Sequence, residues 1–109
     1  MKVDTTPEVK QYLNDLITIL YENGYFSFEE NAHKYVDDLI DDIMEYLPIK
    51  RHKPAPPHFD QYGTGMYYAS FRKNKDTTWY AFFNKYLDNG KTVYLVRYIA
   101  NNHVIAQHL

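Results

Sequence analysis

Four cations in the second half of the chain are the residues best suited to chemistry. Arg72, Lys73 and Lys75 gather around a turn-forming sequence, and Arg97 sits within an alternating run of apolar and aromatic residues. Tyr80, Tyr94 and Tyr98 accompany them. Guanidinium and ammonium groups beside exposed aromatic rings suit phosphate contact combined with base stacking. The same set suits an acidic protein partner. A third reading pairs Arg72 and Arg97 with carboxylates of the acidic first half, as structural ion pairs.

Other site chemistries find less support. Cysteine is absent, which excludes disulfides, thiolate nucleophiles and Cys-based zinc sites. The five histidines, His33, His52, His58, His103 and His108, form no metal-ligand array. His103 and His108 are five residues apart and would point to opposite faces of a strand. No metal and no cofactor is expected. Gly63-Thr64-Gly65 is too short for a phosphate-cradling loop and reads as a turn. Asp37, Asp38, Asp41 and Asp42 repeat as the solvated face of a helix rather than as paired catalytic carboxylates.

The elements that must position these groups fit one domain, residues 1–109, because 109 residues leave no room for a second core. The formal net charge is -2, but it is unevenly placed. Residues 1–48 carry three lysines against eleven acids, and residues 49–109 carry nine Lys and Arg against three acids. An acidic face and a basic face on one body are expected. The N-terminus shows no apolar signal region, and no apolar run approaches the roughly 20 residues of a membrane span. A cytoplasmic protein without membrane contact is the expectation.

Helical periodicity marks two segments. Thr6-Pro7-Glu8 is a helix start, and Val9, Leu13, Leu16 and Leu20 continue it to a stop at Asn23-Gly24, giving a helix over about 7–22. Ser27 and Glu30 fit a capping box for a second helix over about 28–47, which Pro48 ends. Lys50 to Gly65 reads as an irregular, Pro-rich connection. Strands follow over Met66–Arg72, Thr77–Asn84 and Lys91–Ile99, with turns at Lys73–Asp76 and Asp88-Asn89-Gly90. The second strand is aromatic on both faces and is therefore central. In the third, Val93, Leu95 and Ile99 alternate against Tyr94, Val96 and Tyr98. Met1–Thr6 is a short strand, and His103–Leu109 is a terminal strand or a helical turn. The fold class is α+β, an N-terminal helical hairpin on a small, mainly antiparallel sheet in the order (β)ααβββ(β).

This order of motifs resembles the RelE/ParE toxin superfamily along nearly the whole chain. Val3 to Leu13 is similar to the family's short strand followed by Ser/Thr-Pro-Glu, and Leu47-Pro48 matches its usual end of the second helix. Phe71-Arg72 before Thr78–Phe83 resembles its central strand pair, Val93–Ile99 its last long strand, and Asn102-His103 the polar strand end. Ala81 stands where the family often carries a second arginine after the tyrosine. The resemblance implies the toxin component of a type II toxin–antitoxin (plasmid-stabilisation) system, held in check by a cognate antitoxin. It implies action on translation, by metal-independent, ribosome-dependent endoribonuclease cleavage of mRNA, or on DNA gyrase. Arg72 and Arg97 would then face the phosphate, and His103 or His108 would transfer the proton. Lys73, Lys75, Tyr80, Tyr94 and Tyr98 would bind RNA or a partner. The alternative is a catalytically silent protein-interaction domain of the same fold.

Overall fold

The computed structural model describes residues 1–109. Strand β1 (Lys2–Thr5) leads into helix α1 (Pro7–Glu22), and helix α2 (Glu29–Tyr46) follows. Strands β2 (Lys53–Pro54), β3 (Tyr67–Arg72), β4 (Thr78–Asp88) and β5 (Lys91–Asn101) complete a five-stranded sheet. A short helix α3 (Asn102–Ile105) and a 3₁₀ turn to His108 end the chain. The sheet order is β1-β5-β4-β3-β2; β1 runs parallel to β5 and all other pairs are antiparallel. No helix is long and apolar enough to cross a membrane.

The helix ends follow local chemistry. The Thr6 hydroxyl accepts a 3.3 Å hydrogen bond from the Val9 amide, which satisfies one orphan donor of α1. At the other end Gly24 takes a left-handed φ of 77°, and the Tyr25 and Gly24 amides donate to the Leu20 and Tyr21 carbonyls. That is a Schellman closure. The capping box expected from Ser27 and Glu30 does not form. The residue preceding α2 is Phe28, and no side chain caps this helix.

Strand β4 is central, as its aromatics on both faces require. Trp79, Ala81 and Phe83 face the helices, where they pack with Val9, Leu13 and Leu16 of α1 and Val36, Leu39 and Ile43 of α2. Phe82 points the other way into a second cluster with Phe59, Met66, Ala100 and Ile105. Phe59 comes from the Pro-rich connection and stacks on Phe82 at 4.3 Å. The connection is therefore a cover for half of the second face, and it also contributes the short strand β2.

The element order differs from the expected (β)ααβββ(β), because β2 in the connection pairs with β3 and adds a strand before the meander, and two further features depart from the expected pattern. The β4–β5 register slips between Phe82 and Phe83, so that Phe82 pairs with Tyr98 and Phe83 with Val96. Arg97 is the extra residue of this bulge, and it inverts the alternation of β5. Tyr94 and Val96 consequently join Ile99 on the helix side. The residues after Asn101 form no terminal strand. The Asn101 side chain accepts a 3.0 Å bond from the His103 amide, which starts α3 instead. The Ile105 of this turn is buried on the second face.

Phe59 is fully buried and belongs to the smaller cluster. Phe59→Ala should cost about 3–5 kcal/mol, the usual range for a buried aromatic truncation. Urea unfolding followed by circular dichroism would measure this loss.

Candidate functional site

The second face of the sheet is covered only in part. Its remaining half forms an open cleft of about 580 Å³. Alternation along β3 and β4 places Tyr68, Ser70 and Arg72 beside Thr78 and Tyr80 on the floor. Tyr68 and Tyr80 meet edge to face at 5.9 Å. Arg51 and Lys53 stand on the wall formed by β2 and the residues before it, and Leu109 also lines the cleft. Three cations converge here, and no Asp or Glu lines the cleft.

These cations are free of carboxylate partners. The two ion pairs of the protein, Lys2–Asp4 and Lys34–Asp38, are short-range and lie in the acidic half. Neither Arg72 nor Arg97 forms one, so the structural ion-pair reading of those arginines does not hold. The Arg72 Nε donates to the Asn74 carbonyl at 3.1 Å, which steers the guanidinium at the strand end. Unpaired cations that share a cleft with tyrosine rings can bind a phosphate, stack a flat base and stabilise negative charge developing on the phosphate.

The nine residues singled out in the sequence do not assemble into one site. Arg72 and Tyr80 line the cleft. Lys73 and Lys75 lie in the adjacent turn, with the Lys73 ammonium 4.9 Å over the Tyr35 ring. Arg97 lies elsewhere. Arg72 pairs with Thr78 while Arg97 bulges between Phe82 and Phe83, a separation of roughly 15 Å along the strands. The Arg97 Nε donates to Asn84 Oδ1 at 2.7 Å, and the Asn84 amide donates to the Thr64 carbonyl at 3.1 Å. A Cβ on Gly63 would come within 2.6 Å of Arg97 Cδ. Arg97 thus clamps the loop that carries Gly63, rather than facing a shared phosphate with Arg72.

The histidines are also separated. His103 shares a 3.2 Å hydrogen bond with the Thr77 hydroxyl, in a different hollow. His108 stacks flat on His58 at 3.5 Å. Neither lines the cleft. Tyr94 is 7% exposed and packs against Phe83 and His52, so it belongs to the core and presents no ring to a ligand. Tyr98 stacks on Tyr62 at 3.8 Å, which occupies one face of its ring.

The sequence reading missed Arg51, Lys53, Tyr68, Ser70 and Thr78. The run Lys50-Arg51-His52-Lys53 was visible as a basic cluster. Only the pairing of Lys53 with Tyr68 brings it to the cleft wall. Tyr68 follows from alternation once Tyr80 is placed, because their strands are paired with Ser70 opposite Tyr80.

Burial pushes the Tyr98 hydroxyl well above the usual tyrosine range, and the adjacent Tyr62 hydroxyl adds to the shift. The unfolded chain loses this proton near its ordinary value of about 10, while the folded chain retains it. The stabilisation is complete below about pH 10 and is lost as pH rises beyond it. The melting temperature of the wild type should therefore fall more steeply above pH 10 than that of Tyr98→Phe. Thermal melts at several alkaline pH values would compare the two.

No protein-family model, no curated protein and no solved structure matches this chain.

Proposed function

We propose that this protein is a toxin of the type II toxin–antitoxin class and that it acts on RNA, holding a single strand in the cleft of Arg51, Lys53 and Arg72. The observation that carries this reading is the convergence of three unpaired cations on Tyr68 and Tyr80, on an open sheet face without acids. Cations bind the sugar-phosphate backbone without regard to sequence, and tyrosine faces accept any base. The Ser70 and Thr78 hydroxyls add donors and acceptors within reach of a ribose 2′-hydroxyl.

Cleavage at a bound phosphate would rest on Arg72 and Lys53 for the developing charge. Proton transfer would fall to a tyrosine hydroxyl, because no imidazole lines the cleft. An antitoxin with an acidic segment would compete for the same three cations, which is a direct route to neutralisation.

Expression of the wild type should arrest growth, and Lys53→Ala with Arg72→Ala should relieve the arrest. In a binding assay on single-stranded RNA, each of these changes should weaken affinity by about tenfold at low salt, the scale of a charged hydrogen bond. The log–log salt slope should fall by roughly 0.7 for each phosphate that is no longer neutralised. Unchanged RNA affinity in the double variant would defeat the cleft assignment. Arrest that persists without RNA binding would favour a protein target.

A further inference from the structure

A second hollow, of about 370 Å³, lies across the β3–β4 turn from the cleft. Trp79 and Tyr35 form its inner wall, and Tyr25 stands at its mouth. Thr77, Asn101 and His103 supply its polar edge. Its volume falls within the range of small-ligand pockets.

Its polar groups are aimed but not exhausted. The Trp79 indole donates to the Tyr35 hydroxyl at 2.8 Å, so Tyr35 keeps its own proton to donate. Asn101 uses its carbonyl oxygen on the His103 amide, which leaves its amide hydrogens as donors. His103 uses Nε2 on Thr77, which leaves Nδ1. Tyr25 is 71% exposed, and an exposed ring at a pocket mouth is a stacking platform. A flat heterocycle with donors and acceptors on its edge fits this set.

The turn between the two hollows is rigid and basic. Asn74 Oδ1 accepts from the Asp76 and Thr77 amides, both at 2.9 Å. Asn102 fastens the turn from the other side, donating to the Asp76 carbonyl and accepting from the Thr78 amide. Arg72 ends in the cleft and Thr77 in the second hollow, so the four residues between them span the gap. Lys73 and Lys75 are cations on that span, and Asp76 is its one acid.

We propose that the second hollow is a base-binding subsite, taking the base of a further nucleotide whose phosphates cross Lys73 and Lys75 from the cleft. This rests on the reading of the cleft as an RNA site. Trp79 is the only tryptophan in the chain and lines this hollow, so a change in its emission on binding is a signal from this side of the sheet.

The test titrates the full chain with a nine-nucleotide oligoadenylate and, separately, with AMP. The nine-mer should quench Trp79. Tyr25→Ala should remove most of the quench and weaken the nine-mer by about 5- to 160-fold, the range of one base–aromatic stack. Tyr25→Phe should keep both. Lys53→Ala with Arg72→Ala should weaken the nine-mer without touching any response to AMP. A nine-mer that binds wild type and Tyr25→Ala equally, with Trp79 emission unchanged, overturns the subsite and leaves the cleft standing. A nine-mer indifferent to Lys53 and Arg72 overturns the strand as the source. AMP then decides the pocket alone: quenching lost in Tyr25→Ala keeps it as a site for a free nucleotide, and no quenching removes it.

Discussion

The arrangement depends on one constraint, the need to bury β4 from both sides. Trp79, Ala81 and Phe83 alternate with Tyr80 and Phe82, so neither face can remain in water at low cost. The helical hairpin covers the first face over its core. The second face has only the Pro-rich connection and the C-terminal turn, which supply Phe59, Met66 and Ile105. That cover reaches Phe82 and stops. Beyond it lie Tyr80 and Tyr68, whose rings are partly buried and whose hydroxyls tolerate water. The cleft is the part of a two-sided sheet that the chain has too little apolar material to close. Basic side chains can border it because water still reaches them.

A single inserted residue sets the rest of the sheet. Without the bulge at Arg97, strict alternation would send Ile99 to the face opposite Tyr94 and Val96. The bulge lets all three pack on the helices and turns Tyr98 and Ala100 toward the second cluster. The extra residue must still place its side chain. Gly63 provides the room, since a Cβ there would collide with the Arg97 stem, and Asn84 holds the guanidinium. Bulge, glycine and asparagine form one device that fastens the connection over the sheet. Arg97 thereby serves the fold, although its charge and its aromatic neighbours suggest a ligand.

The same facts explain what was legible in the sequence. Helix α1 could be read nearly to the residue, because Thr6, Pro7 and Gly24 act within one turn of the chain. The β4–β5 hairpin was equally local, since Asn89 and Gly90 take the positive φ values its turn requires. The site was not local. Arg72 and Tyr80 were recognised, but Lys53 and Tyr68 reach them only through strand pairing. Tyr94 reads as a partner of Tyr98 because alternation gives both one face, whereas the bulge at Arg97 lies between them and sends Tyr98 to the other, and periodicity carries no mark of a bulge. His103 and His108 were separated because the terminal residues coil under Asn101 instead of extending. The capping box failed because Phe28, not Ser27, precedes the first helical residue.

Charge separation completes the relation between fold and cleft. The outward acids of α2, among them Asp37, Asp41 and Glu45, are exposed on the far side of the helical layer. The helical layer and the sheet separate them from the cleft, and ions in the surrounding solvent screen exposed charges beyond about 8 Å at physiological salt. The acids therefore neither neutralise the cleft nor weaken it appreciably. Asp42 alone approaches, sharing a shallow hollow with Lys50 and Arg72 without pairing either. A net charge of -2 is thus a sum over two faces that barely sense each other. A polyanion approaching the molecule would be repelled from the helices and drawn to the sheet, so the charge layout alone would orient it before contact.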